Sequence, residues 1–189
     1  MPRPLLLALP LLLASPLTMA HPADAMGVTA GLVHAFSGFD HLLAMLALGI
    51  WSAALPPRQQ TLLRTGMPVV LVAALLAGVM VAPASVALAD MGIALSLMLS
   101  GVLIANRQRQ IPAPVALLTA TAFVSLHGFA HSEALQGDVS GFALGLVLTS
   151  SLLLQAGRWM GMQLQQHRPA LLFLTGTLVS GAGLGLALV

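Results

Sequence analysis

Apolar residues fill this chain in six blocks, each close to the ~20 residues that an α-helix needs to cross the hydrocarbon core of a bilayer. The blocks run approximately over residues 28–55, 67–84, 86–105, 113–131, 141–161 and 169–189. Prolines mark their edges, at Pro56-Pro57, Pro83, Pro112/Pro114 and Pro169, where a missing backbone donor does least harm. The short link around Pro83 predicts a tight hairpin between the second and third blocks. Against this background one stretch stands out. Residues 33–43 read V-H-A-F-S-G-F-D-H-L-L and place His34, Asp40 and His41 inside the first block. Ionisable groups at that depth are costly unless they face a cavity, pair with one another or bind an ion.

A second polar group closes the fourth block, S-L-H-G-F-A-H-S-E, with His127, His131 and Glu133. His127 and His131 are four apart, so on a helix they share a face. The first group lies about as far from the start of its block as the second lies from the end of its own, so they are expected at one depth on oppositely running helices. The first group has a geometric difficulty. His34 and His41 are seven apart, on nearly one face but about 10 Å apart along a straight helix. Either the helix breaks near Ser37-Gly38, or the two histidines are successive stations on a path. Four histidines and two carboxylates gather on two blocks, while the other four contribute one acid, Asp90. Imidazole and carboxylate together form a ligand set for a late transition metal.

Composition narrows the class. The chain has 189 residues, is 58% hydrophobic and 6% charged, and has a mean hydropathy of +0.98. The expected fold is an all-α integral membrane protein, a bundle of six transmembrane helices. Cysteine is absent, which excludes disulfides and thiolate ligands. The pI of about 11.2 rests on seven arginines spaced singly along the chain, which is not a nucleic-acid signature. Their placement reports orientation instead. Arg58, Arg64, Arg107, Arg109, Arg158 and Arg168 fall around the first, third and fifth connections, and Asp24, Asp90, Glu133 and Asp138 around the others. The positive-inside rule makes the arginine-bearing side cytoplasmic and both mature termini periplasmic.

The N-terminus follows a different logic. Arg3, the apolar run from Leu5 to Leu13, and Thr18-Met19-Ala20 read as a cleavable signal peptide over residues 1–20. Pro10, Pro16 and the short run suit a signal better than an uncleaved first helix. Cleavage leaves residues 21–189 as one membrane domain, with His21 first. A free amine beside that imidazole is a candidate cation-capture point, although sequence next to a signal is often incidental. His167, beside Arg168, reads as a solvated end. Gly141/Gly145, Gly176/Ser180 and Gly181/Gly185 are spaced for close helix packing, and the ten methionines read as core filler rather than a copper path.

The stretches H-A-F-S-G-F-D-H-L-L-A-M-L-A-L-G-I-W at 34–51 and H-G-F-A-H-S-E at 127–133 resemble the HupE/UreJ family of nickel permeases. The signal-like start, His21-Pro22 and six blocks extend the resemblance over the whole mature chain. Two positions depart from the family pattern, Ala35 (usually proline) and Ser132 (usually glycine). The resemblance implies a permease in the inner membrane, not an enzyme. Ni²⁺, or Co²⁺, would be cargo rather than a prosthetic group. It implies His34, Asp40, His41, His127, His131 and Glu133 as ligands, and it makes hydrogenase or urease accessory proteins, and a second copy of the chain, compatible partners. A competing reading from the residues alone is a b-type haem protein with His34/His41 facing His127/His131 as axial ligands. A zinc hydrolase would need H-E-x-x-H, which is absent.

Overall fold

The computed structural model describes residues 27–80, 86–106, 111–135 and 137–188. Expectations for residues 1–20, His21, Asp24, Arg107, Arg109 and the Pro83 link lie outside them. The order is α1 (Val28–Ser37), α2 (Phe39–Ser52), α3 (Pro57–Met80), α4 (Val86–Ala105), α5 (Ala113–Ala130), a 3-10 turn (His131–Ala134), α6 (Val139–His167) and α7 (Pro169–Ala187). Helices α3, α5, α6 and α7 are each long and apolar enough to cross a membrane, and α1 with α2 passes the same test as a pair bent by 81°, a broken span or a re-entrant loop, which gives four or five candidate spans among the described residues. The stretch Met91–Ala105 of α4 is apolar too. The chain is therefore a multi-pass helical membrane protein.

Two helices outrun their apolar blocks. Helix α3 starts at Pro57, ahead of the expected residue 67, so Arg58 and Arg64 ride exposed on its first turns rather than in a loop. Proline is well placed in a first helical turn, and R-Q-Q-T-L-L-R is a good helix-forming run, so the helix continues past its apolar part. The Gln60 amide ties this start to the preceding turn by donating to the Leu55 carbonyl at 2.7 Å. Its Oε1 accepts from Arg158 Nε at 2.8 Å. Helix α6 likewise carries the polar tail Q-L-Q-Q-H to His167, which is exposed.

Helix α6 organises the bundle. Gly141/Gly145 and Gly157/Gly161 are two pairs spaced by four, each pair on one face of the helix; α1 packs on the first pair and α2 on the second. A Cβ at Gly145 would strike the Val28 carbonyl, and one at Gly31 would strike the Phe142 carbonyl. Backbone therefore lies on backbone. The same device joins α2 to α6 through Gly49 and Gly157, α3 to α5 through Gly78 and Gly128, and α4 to α7 through Gly101 and Gly176. Small residues permit such approach where lipid offers no hydrophobic drive for association. Gly181 and Gly185 have the same spacing yet nothing within 4 Å. Leu48, Leu75, Leu97 and Leu146 fill the core between these seams. Phe173, Leu174 and Leu178 of α7 are exposed on the apolar outer surface.

Candidate functional site

The break between α1 and α2 falls at Gly38, whose extended backbone (φ −78°, ψ 106°) interrupts the helix without needing a left-handed conformation. Two local features favour it. Glycine is a poor helix residue, and Ser37 Oγ donates to the His34 carbonyl at 3.0 Å, giving that carbonyl a partner outside the regular ladder. The Gly38 amide bonds the same carbonyl at 3.2 Å. A Cβ at Gly38 would lie 3.1 Å from Asp40 Oδ1, so the carboxylate sits tightly over the break. The turn puts His34 at the end of one helix and Asp40 and His41 in the first turn of the next.

The opposing group stands at the end of α5. His127 occupies the last turn and His131 opens the 3-10 turn that follows. His131 bridges the two histidines that a straight helix would hold apart. Its Nδ1 lies 2.9 Å from His34 Nε2, and its Nε2 lies 2.7 Å from His41 Nδ1. The outer nitrogen of His41, Nε2, lies 3.1 Å from Ser150 Oγ on α6. The three rings and the hydroxyl form one hydrogen-bonded row, with His131 edge-on to both neighbours. Each neutral imidazole carries one donor and one acceptor, so the row closes with every proton pointing either toward Ser150 or away from it.

His127 differs. Its Nδ1–H donates to the Phe123 carbonyl at 2.9 Å, one turn back on its own helix. A carbonyl only accepts, so the proton is on Nδ1 and Nε2 carries the lone pair of the neutral ring. That Nε2 is buried and has no hydrogen-bond partner. The ring centre lies 5.5 Å from that of His41. An imidazole held by a backbone carbonyl with its other nitrogen bare is the arrangement that metal-binding histidines use.

Of the residues read as candidates, His34, His41, His127 and His131 come together, and Asp40 lies beside them. Glu133 is on the 3-10 turn, with its side chain outside the described part. Among the described residues no group of three or more His, Asp or Glu side chains is arranged to hold one metal ion. The imidazoles instead occupy one another. Ser150 is the site residue that the sequence reading missed. Its signal was Thr149-Ser150-Ser151, three hydroxyls within an apolar block. Asp138 caps α6 at the same end of the bundle as Gly27. The Ser140 hydroxyl at 2.7 Å and the Gly141 amide at 3.0 Å hold its carboxyl below the usual carboxylate range. Ser132, one of the two departures, donates to the Phe129 carbonyl at 2.7 Å and packs against Gly78.

The family described as "HupE / UreJ protein" matches residues 9–186. The chain is 29% identical to "Protein HupE" of Rhizobium leguminosarum bv. viciae over 131 residues, 68% of this chain and 67% of that protein. No solved structure matches. With a family match that takes in both histidine groups and every described helix except Ala187, the last residue of α7, this chain belongs to the HupE/UreJ family.

Proposed function

We propose that the protein is a secondary permease that brings Ni²⁺, with Co²⁺ as a second cargo, across the bacterial inner membrane for hydrogenase or urease maturation. Six spans follow a cleaved signal, and both mature termini are periplasmic. The family is one of transporters rather than enzymes, and four imidazoles with an adjacent carboxylate are the donors a late first-row cation would use. The observation that carries the reading is His127 Nε2, a buried lone pair with no hydrogen-bond partner, on a ring whose centre lies 5.5 Å from that of His41.

The row explains how such a site could release its cargo. An ion that takes His34, His41 or His131 must displace a ring-to-ring hydrogen bond, and those bonds re-form when it leaves. Binding is thereby weakened, as transport requires. Asp40 supplies charge beside the rings, Glu133 is a further oxygen donor close by in sequence, and His21 with Asp24 and Asp138 collects cations outside. An inward-negative potential contributes about 4.6 kcal/mol per 100 mV for a dication, from roughly 2.3 per charge. A haem reading fares worse, because rings that hydrogen-bond directly leave no gap for a porphyrin between them.

The test is metal accumulation in cells expressing the chain, with nickel, cobalt, zinc and copper in competition. His41→Ala and Asp40→Ala are expected to abolish nickel accumulation at normal expression. Accumulation at the wild-type level in both would refute the site.

A further inference from the structure

Arg58, Arg64, Arg107, Arg109, Arg158 and Arg168 belong to the end of the bundle away from Asp138, and no carboxylate of the chain does. The countercharge of that end has to come from outside the chain. Arg158 is the one held within the protein, half-buried in the apolar run of α6. Its Nε donates to the neutral Oε1 of Gln60 at 2.8 Å, and among the described residues no carboxylate pairs with it. A guanidinium has five N–H donors, so those on both Nη atoms remain to be used.

Helices α3 and α6 run antiparallel beside this arginine and meet at two levels. One is the Gln60–Arg158 hydrogen bond. The other, about two turns deeper, is a partly open crevice with Met67, Pro68 and Leu71 of α3 against Ser151 and Leu154 of α6. Its surface is almost wholly apolar. On α3, Gln60, Arg64 and Pro68 are spaced by four, and on α6, Ser151, Gln155 and Arg158 are spaced by four and three. Each set therefore shares one helix face, and Arg64 falls between the two levels. The result is a groove that is cationic at its outer end and apolar at its inner end. Trp159, next to Arg158, is 60% exposed, as expected of an indole at a membrane interface.

We propose that the groove between α3 and α6 binds an anionic phospholipid, with its phosphate on Arg158 and Arg64 and an acyl chain in the apolar crevice. Arginine's planar fork matches phosphate oxygens, and basic pockets between helices on the cytoplasmic side take acidic headgroups. A zwitterionic lipid carries its own cation, which offsets the attraction, and a free phosphate has no chain for the crevice. Ser150 also lines the crevice, so a seated chain packs against the residue that holds His41. The proposal uses none of the histidines and stands apart from the permease reading.

The experiment takes delipidated full-length protein in detergent and counts bound molecules by native mass spectrometry during titration. The probes are phosphatidylglycerol, phosphatidylcholine with the same acyl chains, and glycerol 3-phosphate. One phosphatidylglycerol is expected to bind about tenfold tighter than phosphatidylcholine, and glycerol 3-phosphate is expected not to be retained. Arg158→Gln should weaken phosphatidylglycerol binding by about tenfold, and Arg158→Lys by less, because it keeps the charge and loses the fork. Arg64→Gln, at an exposed position, should show a loss of about fivefold and carries the test if Arg158→Gln does not assemble. Arg168→Gln, at the start of α7 and off the groove, should leave binding unchanged. Phosphatidylglycerol binding no tighter than phosphatidylcholine, or lowered as much by Arg168→Gln as by the groove variants, would overturn the site. Retention of glycerol 3-phosphate as tight as that of the lipid would overturn the role of the crevice and, with it, the lipid as occupant.

Discussion

The two arms of the site reach the same place by opposite means. The α5 arm stays helical, and the ordinary spacing of four sets His127 and His131 on one side of the chain. The α1–α2 arm has to break, because seven residues of straight helix would hold His34 and His41 about 10 Å apart. Their partners differ as well. His131 has both nitrogens engaged by other imidazoles, while His127 has one tied to its own backbone and the other bare. The contrast separates two tasks within one cluster. The row through His131 holds the broken arm to the continuous one, and His127 offers the lone pair.

The comparison can be broken most completely by unseating the first arm. Gly145→Val would drive a branched side chain into the Val28 carbonyl. It should cost about 1–3 kcal/mol or more in thermal unfolding followed by circular dichroism, and should lose metal binding as well. His131→Ala leaves both His34 and His41 short of a ring partner. A loss of about 1–3 kcal/mol is expected in the same melt, because buried polar groups lose their hydrogen bonds. If His131 only held metal, the melt without metal would not move. The smallest effect belongs to the break itself. Gly38→Ala favours helix by about 1 kcal/mol and crowds Asp40. Nickel titration should show affinity down by about fivefold, with no loss of stability. A complete loss of binding would mean that the backbone at Gly38, rather than the side chains, makes the site.

Much of this was legible in the sequence, for reasons that differ from residue to residue. The spacing of His127 and His131, and the shared depth of the two groups, follow from helix geometry alone. At Ser37-Gly38 the sequence left two outcomes open. A weak helix former next to a competing hydroxyl permits a break, but its 81° bend depends on where α6 seats each half. Glycine spacing carried similar ambiguity. Gly141/Gly145 and Gly181/Gly185 look alike, yet the first pair meets α1 and the second meets nothing within 4 Å. Ser150 was harder, because a hydroxyl in an apolar helix ordinarily bonds its own backbone. Only the fold brings it to His41, 109 positions away in the chain. Hydropathy also misplaced the start of α3, since it registers the apolar part of a helix and not its polar first turns.

The central claim is that His127, and not only the hydrogen-bonded row, binds the ion. Nickel affinity of the purified full-length protein, measured for wild type and His127→Ala together with their metal-free melts, tests it most directly. Removing one pre-oriented ligand should weaken binding by about 100-fold or more, since even loss of a ligand's supporting hydrogen bond typically costs 10–100-fold. The melt should move less than in His131→Ala, because His127 gives up only one hydrogen bond to its own helix. His127→Ala protein that binds nickel as tightly as wild type would contradict the account.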